Sequence, residues 1–575
     1  MRRRASGSRW PLRVPRLGGP WLGLLLLAAC GREDIEPGTE DVALDASPAP
    51  TTWFTDVTDD VGVDFVHDMG ATDERHLPET MGGGGAVFDA DSDGWLDLYL
   101  IQSGFLPVPP TERPADAPTN RLFTGLGDGR FTDATARSGD AADPGYGQGC
   151  AIGDVDDDGD IDVYVTNFGP DLLLANDGRA RFSDVTANAE LGDPRWTAGA
   201  TLFDADRDGD LDLYVTGYVE IDVTDPEWCG RTDPGWRSYC HPDRYPGLDD
   251  RFWRNDGSGR FTESSLTAGL VGTDGKGLGV VPVDMDLDGD LDLYVANDSV
   301  ENKLWRNLGD RFEDATLISG TGVNANGATE AGMGLAAGDL DGDLDLDLYV
   351  TNFDNESNTL YRNDGEWFTD ATVVSGLEGP SRLPVGFGTV AEDFDLDGDL
   401  DLAVANGHII HNIELYHDGK RWRQKPHLYV NRGTGKFTRE TALIGDLGGA
   451  SLVGRGLLSG DLDRDGDADL VLIENGGRAR ILRNDAPASQ TGSFTVRGLE
   501  PHAVVLARFD DGSEQLVVNG PAPTYYGACA PEARITVLPG RTLTQLERVS
   551  PAGTPIDVDL ATEREARRWW LELPR

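Results

Sequence analysis

Asp154-Val155-Asp156-Asp157-Asp158-Gly159-Asp160-Ile161-Asp162 is the stretch on which the reading of this chain turns. If the backbone curls, the carboxylates at positions one, three and five converge on one point. Gly159 permits the sharp turn, position seven offers its carbonyl oxygen, and Asp162 closes the shell. Such an all-oxygen, highly charged cage suits a hard cation. Calcium fits best, because it accepts about six to eight oxygens in a flexible geometry, whereas magnesium keeps its waters and wants a tight octahedron. Zinc and copper would ask for His or Cys, which this loop lacks. The ninth-position Asp leads into a strand, unlike the helical calcium hand with its twelfth-position Glu.

The pattern occurs seven times. The expected metal ligands are Asp89, Asp91, Asp93 and Asp97 in the first loop, and Asp154, Asp156, Asp158 and Asp162 in the second. The third offers Asp204, Asp206, Asp208 and Asp212, and the fourth Asp284, Asp286, Asp288 and Asp292. The fifth offers Asp339, Asp341, Asp343 and Asp347, with Leu344 where the glycine belongs, which predicts poor binding there. Asp393, Asp395, Asp397 and Asp401 form the sixth set, and Asp461, Asp463, Asp465 and Asp469 the seventh. One such nonapeptide could be ordinary turn chemistry, since Asp and Gly dominate turns. Seven in equivalent places predict about six or seven bound Ca2+ ions. Without metal the clustered carboxylates repel, so binding free energy becomes folding free energy.

Each loop sits between a Gly-rich apolar run such as 82–88 and a strand such as Val163-Tyr164-Val165. A third strand ending in an Asn or Gly turn follows, as in Leu360-Tyr361-Arg362-Asn363-Asp364-Gly365, and a fourth opens with Phe, as in Phe368-Thr369-Asp370. Asn-Asp-Gly between apolar runs is a hairpin signal. Four antiparallel strands repeated seven times predict an all-β chain, a seven-bladed β-propeller over residues 51–490. Phe54 to Thr58 has no loop of its own and is expected to complete the seventh unit, because the pattern breaks at Ala486-Pro487-Ala488. The Gly-rich strands are expected to line a central channel. Residues 491–575 alternate apolar and polar and predict a small C-terminal β domain.

The formal charge of -52 over 575 residues disfavours nucleic acid and anionic membranes as partners. About a third of the acids fall within the seven loops, so cation binding explains the charge better than disorder does. Residues 1–29 read as an export signal, basic and then apolar from Trp21 to Leu27, too short to span a bilayer. Leu27-Ala28-Ala29-Cys30 resembles a bacterial lipobox, which implies lipidation at Cys30 and an exported, lipid-anchored protein at the bacterial cell envelope, at the outer membrane or cell surface. Residues 30–50 form an acidic, Pro-rich tether. In an oxidising compartment Cys229 and Cys240 can close a short loop as a disulfide; Cys150 reads as a small buried apolar residue, and a Cys150–Cys529 bridge stays open as an alternative.

With their flanking strands, the acidic loops look like the FG-GAP/VCBS repeats of integrin-α-type propellers. More narrowly, Leu77-Pro78-Glu79-Thr80-Met81-Gly82-Gly83-Gly84, Glu330-Ala331-Gly332-Met333-Gly334 and Asn406-Gly407-His408-Ile409 are similar to segments of cartilage acidic protein and its bacterial ASPIC/UnbV relatives. Residues 491–575 occupy the place of an ASPIC/UnbV domain but depart from its pattern. The resemblance implies extracellular calcium binding and adhesion.

The expected function is therefore an extracytoplasmic calcium-binding propeller acting as a binding or adhesion module on the cell surface. The expected partner is an extracellular protein or glycan, with membrane contact through the lipid alone and the chain a monomer. Trp228, Trp236, Tyr239 and Tyr245, in the excursion from Glu220 to Asp249, offer a contact surface, against the reading that they pack the insertion onto its unit. The alternative function is a calcium-dependent polysaccharide lyase or hydrolase using His408, His411, His417 and His427 with Lys420, Arg421 and Arg423. No nucleophile and base can be singled out, which favours a non-enzyme.

Overall fold

The structure is a computed structural model that describes residues 52–106, 117–142, 145–272, 275–365, 367–487, 492–520, 524–550, 554–556 and 568–572. The expected export signal, Cys30 and the tether lie outside the described residues. Each acidic loop joins the first two strands of a small antiparallel sheet. The second repeat runs Gly147–Gly153, Asp162–Asn167, Leu172–Asn176 and Phe182–Asp184, hydrogen-bonded in that order. The sixth runs Gly386–Glu392, Asp401–Asn406, His427–Asn431 and Phe437–Arg439. In the seventh repeat the fourth strand is Phe54–Asp56, with Phe54 opposite Asn484. The second strands, such as Asp292–Asn297, are buried along their whole length, which is why they read as nearly continuous apolar runs.

The described strands form separate small sheets, mostly antiparallel, and no sheet closes on itself. This corrects the expected seven-bladed β-propeller with a small C-terminal β domain. The seven repeats give seven of the ten sheets formed by the described strands, and between repeats hydrogen-bonded pairing is limited to isolated bridges such as Gly139 with Phe182. Neighbouring repeats meet instead through apolar side chains and through close backbone approach at glycines. A Cβ on Gly334 would lie 2.1 Å from the carbonyl oxygen of Phe387, and one on Gly279 2.4 Å from that of Met333. The cores are accordingly interfacial: one cluster combines Phe203, Tyr214 and Phe252 of the third repeat with Val280, Leu293 and Trp305 of the fourth.

The C-terminal residues are not a detached body. Gly527–Cys529 pairs in parallel with Gly85–Phe88 as a fifth strand of the first sheet. The preceding Tyr525 and Tyr526 are fully buried and stacked at 3.8 Å, with the Tyr525 hydroxyl donating to the Met81 carbonyl at 2.9 Å. The Gly-rich runs thus face this segment: a Cβ on Gly84 would lie 2.1 Å from the Tyr526 oxygen, and one on Gly149 2.7 Å from the Tyr526 Cα. Beside it Arg455 is fully buried, its guanidinium 3.8 Å from the Phe387 ring centroid and donating to the carbonyls of Thr80 at 2.7 Å and Gly407 at 3.0 Å. The remaining C-terminal strands form two further sheets, one of Gly492–Arg497, Ala533–Val537 and Arg568–Glu572, the other built on Val504–Phe509 and Leu543–Ser550.

Candidate metal-binding loops

In every loop the first carboxylate organises the curl. Its Oδ2 accepts the amide of position six at 2.8 Å from Gly94, 2.9 Å from Gly159, 3.1 Å from Gly209, 2.8 Å from Gly289, 3.1 Å from Leu344, 2.8 Å from Gly398 and 3.0 Å from Gly466. Position nine is anchored just as regularly. Its Oδ1 accepts the amide that ends the third strand, from Gly125 to Asp97 at 2.7 Å, from Asn176 to Asp162 at 2.8 Å and from Asn363 to Asp347 at 2.8 Å. Backbone bonds therefore fix both ends of each loop and leave positions three and five to face one another.

The fifth loop keeps this geometry. Leu344 adopts the left-handed conformation, φ 72°, that glycine takes in the other six loops, as at Gly159 with φ 93°. Position four is left-handed too, at Ser92, Asp157, Arg207, Leu287, Leu396 and Arg464, and the fifth loop carries its glycine there, at Gly342 with φ 80°. Two residues in each loop need positive φ, and the sequence reading credited only one. Leu344 also packs against the apolar cluster that joins Met285 and Leu346 to Val504 and Leu516 of the C-terminal sheet, which offsets the cost of its backbone.

Carboxylate oxygens converge within 4.8 Å of one another for Asp89, Asp91 and Asp97, for Asp154, Asp156 and Asp162, for Asp204, Asp206 and Asp208, and for Asp284, Asp286 and Asp288. At position three a buried oxygen recurs without a hydrogen-bond partner among the described residues: Oδ1 of Asp91, Asp206, Asp341 and Asp395. An orphaned anionic oxygen inside a ring of carboxylates costs free energy unless a cation meets it, so the donor set fits a hard divalent ion. Burial pushes the ninth-position carboxyls upward, Asp97, Asp292 and Asp347 to about 8 and Asp162 and Asp212 to about 7. The third and fourth loops also receive arginines. Arg254 pairs with Asp206 and reaches Asp212 Oδ2 at 3.4 Å, and Arg306 pairs with Asp286.

A side chain that sequence reasoning missed ties the loops together. The asparagine ending the third strand donates from Nδ2 to the position-two carbonyl of the preceding loop. Asn176 reaches Ala90 at 2.9 Å, Asn255 reaches Val155 at 2.8 Å, Asn307 reaches Ala205 at 2.8 Å, and Asn484 reaches Phe394 at 2.8 Å. Asn363 and Asn431 do the same to Met285 and Leu340. The first repeat has Gly125 in this place and cannot. The recurring Asn before each turn is the signal the sequence offers, and turn chemistry alone accounts for it there.

The histidines do not converge. His408 Nε2 lies 3.1 Å from Asp354, His427 Nδ1 lies 2.9 Å from the Tyr429 hydroxyl, and His411 sits edge-on to Tyr239. Glu79 accepts the amide of His76 at 3.1 Å and a bond from the Tyr239 hydroxyl at 3.0 Å; Glu330 accepts from Thr359 Oγ1 at 2.6 Å. Both acids fix loops. The excursion is closed by a Cys229–Cys240 disulfide, while Cys150 and Cys529 are free. Its Tyr239 is buried and Trp236 packs on Tyr416, whereas Trp228 stays half exposed under Arg237.

A family model for the FG-GAP-like repeat matches residues 89–165, 154–215, 244–295, 284–350, 339–404 and 393–472, more than half of the chain. The chain belongs to the FG-GAP-like repeat family. It is similar to mouse cartilage acidic protein 1, 26% identical over 178 residues that span 29% of this chain and 26% of that protein, and equally to the human protein. The match thus covers about a quarter of the relatives' length. Among solved structures, a lectin of Agrocybe aegerita that recognises non-reducing terminal N-acetylglucosamine aligns at 16% identity over 70% of this chain and 90% of its own, with a TM-score of 0.37. The V. cholerae biofilm matrix protein Bap1 aligns at 10% identity over 76% and 92%, with a TM-score of 0.36.

The expected cell-surface adhesion module and its polysaccharide-active alternative both assumed the propeller scaffold. Both fall with that scaffold, because the separate sheets supply no closed frame on which to build either site. No described helix is long and apolar enough to cross a membrane.

Proposed function

We propose that the chain is a calcium-dependent structural repeat protein, in which about six or seven Ca2+ ions bound by the acidic loops hold the sheets in register. The observation that supports this best is the recurrent buried, unpartnered oxygen at position three, set among carboxylates whose other oxygens are already bound to backbone amides. The 28 carboxylates named at positions one, three, five and nine would be the ligands. We place the protein outside the cytoplasm, lipid-anchored through Cys30 at the bacterial cell envelope, with residues 1–29 removed, 30–50 a tether and 491–575 the region of an ASPIC/UnbV domain. A monomer contacting an extracellular protein or glycan, and no nucleic acid, accords with the charge.

Titrating calcium into chelated protein while following thermal unfolding tests this. Each independent site saturated at 100 times its Kd adds about 2.7 kcal/mol, so the melting temperature should climb steeply, with six or seven ions counted on the folded protein by native mass spectrometry. An unchanged melting temperature with no retained calcium would refute the proposal.

A further inference from the structure

The turn after the fourth strand is built alike in six repeats and differently in one. In six, the strand ends in an acid whose carboxylate accepts the amide of the hydroxyl residue two places on: Thr135 to Asp133 at 2.9 Å, Thr186 to Asp184 at 3.0 Å, Ser265 to Glu263 at 3.2 Å, Thr316 to Asp314 at 3.0 Å, Thr372 to Asp370 at 3.0 Å and Thr58 to Asp56 at 3.1 Å. The hydroxyl of that residue in turn accepts a third-strand amide, as Thr186 does from Leu173 at 2.8 Å and Thr58 from Ile481 at 2.9 Å.

The sixth repeat reverses the charge: Arg439 stands in the place of the acid. The carboxylate bond to the turn amide has no counterpart there, and Thr441 Oγ1 is buried without a partner among the described residues. The turn widens through Gly445, Gly448 and Gly449 and leaves an open pocket of about 550 Å³ lined with Lys425, His427, Arg439 and Thr441. No acid lines it, although acids outnumber bases two to one in this chain. Of the acids nearby in sequence, Glu440 is paired with Arg432 at 3.1 Å, and Asp446 is exposed on the short helix Asp446–Gly449. Among the described residues the Arg439 guanidinium has one hydrogen-bond acceptor, the Pro380 carbonyl at 3.4 Å.

We infer that this pocket binds an oxyanion, the carboxylate or sulfate group of a ligand, in the place where the other six repeats supply their own carboxylate. Arg439 and Lys425, both exposed, provide the charge, and the Thr441 amide provides the donor that meets a carboxylate in the other six repeats. The inference does not depend on the acidic loops being metal sites.

The test is isothermal titration of calcium-loaded full-length protein with sodium acetate and, separately, sodium sulfate at constant ionic strength, on the wild type, Arg439→Asp and Lys425→Ala. R439D restores the residue type of the other repeats and should fold at least as well; K425A leaves the turn untouched. Saturable binding of either anion, weakened at least tenfold in both variants, is expected, and the stronger of the two identifies the ligand's head group as carboxylate or sulfate. No saturable binding of either anion, or binding that both variants retain, overturns the inference.

Discussion

The second and fifth acidic loops reach one geometry from different sequences. In the second, Asp157 at position four is left-handed without being glycine, and Gly159 makes the turn at position six; in the fifth, Gly342 takes position four and Leu344 turns at position six. Yet Asp154 and Asp339 each hold the position-six amide, at 2.9 and 3.1 Å, and Asp162 and Asp347 each hold the third-strand amide at 2.8 Å. The bonds to the carboxylates set the loop, and glycine is one way of paying its conformational cost. Absence of the glycine from the motif is therefore not absence of the loop geometry.

The equivalence can be broken most forcefully at position nine. Asp162→Ala and Asp347→Ala each strand two buried backbone amides, Val155 and Asn176 in one case, Leu340 and Asn363 in the other. Both should lower the stability of calcium-loaded protein by about 3–5 kcal/mol in urea denaturation. A cost at Asp162 with none at Asp347 would show the fifth loop to be idle.

Acidity gives the next largest contrast. Burial raises Asp347 to about 8 and Asp162 to about 7, above the unfolded carboxylate value of about 3.9. A group whose folded pKa is raised favours the folded state most when protonated, so chelated protein should gain stability as pH falls from about 8 towards 4. Calcium-loaded protein should lose stability over the same range, because protons compete with the ion. Melting curves across that window with and without chelator, showing the same slope in both, would contradict the cage at either loop.

The smallest effects sharpen the comparison. Gly342→Ala meets no neighbouring atom and should cost about 1 kcal/mol through its positive φ alone. Leu344→Gly should stay within about 1 kcal/mol of the parent, since relief of backbone strain is offset by lost apolar burial and a freer unfolded chain. A large loss in L344G would place the weight of that residue on the C-terminal sheet instead.

Much of this was legible in the sequence. The acidic loops, the four strands around each, the pairing of Phe54–Asp56 with the seventh repeat and the convergence of the carboxylates follow from local spacing, because turn chemistry and strand alternation act over a few residues. What joins the repeats was not legible. Asn176 and Asn307 look like ordinary turn residues until their partners, 86 and 102 positions away, are known. The arginines that enter the third and fourth loops, and the burial of Tyr525 and Tyr526 against Gly84 and Gly149, likewise depend on contacts that no local pattern announces. The scaffold failed for the same reason: periodicity counts sheets, whereas their assembly is settled by long-range contacts.

The fifth strand of the first sheet bears on how the chain is made. Residues 85–88 are synthesised long before their neighbour 527–529, and Tyr525 must seat against Met81 at the same time. The first repeat is thus completed only after the seventh acidic loop has been made, and any shorter nascent fragment lacks its fifth strand. Consolidation of this repeat therefore waits on a contact of very long sequence separation, which carries a loop-closure cost and slows folding.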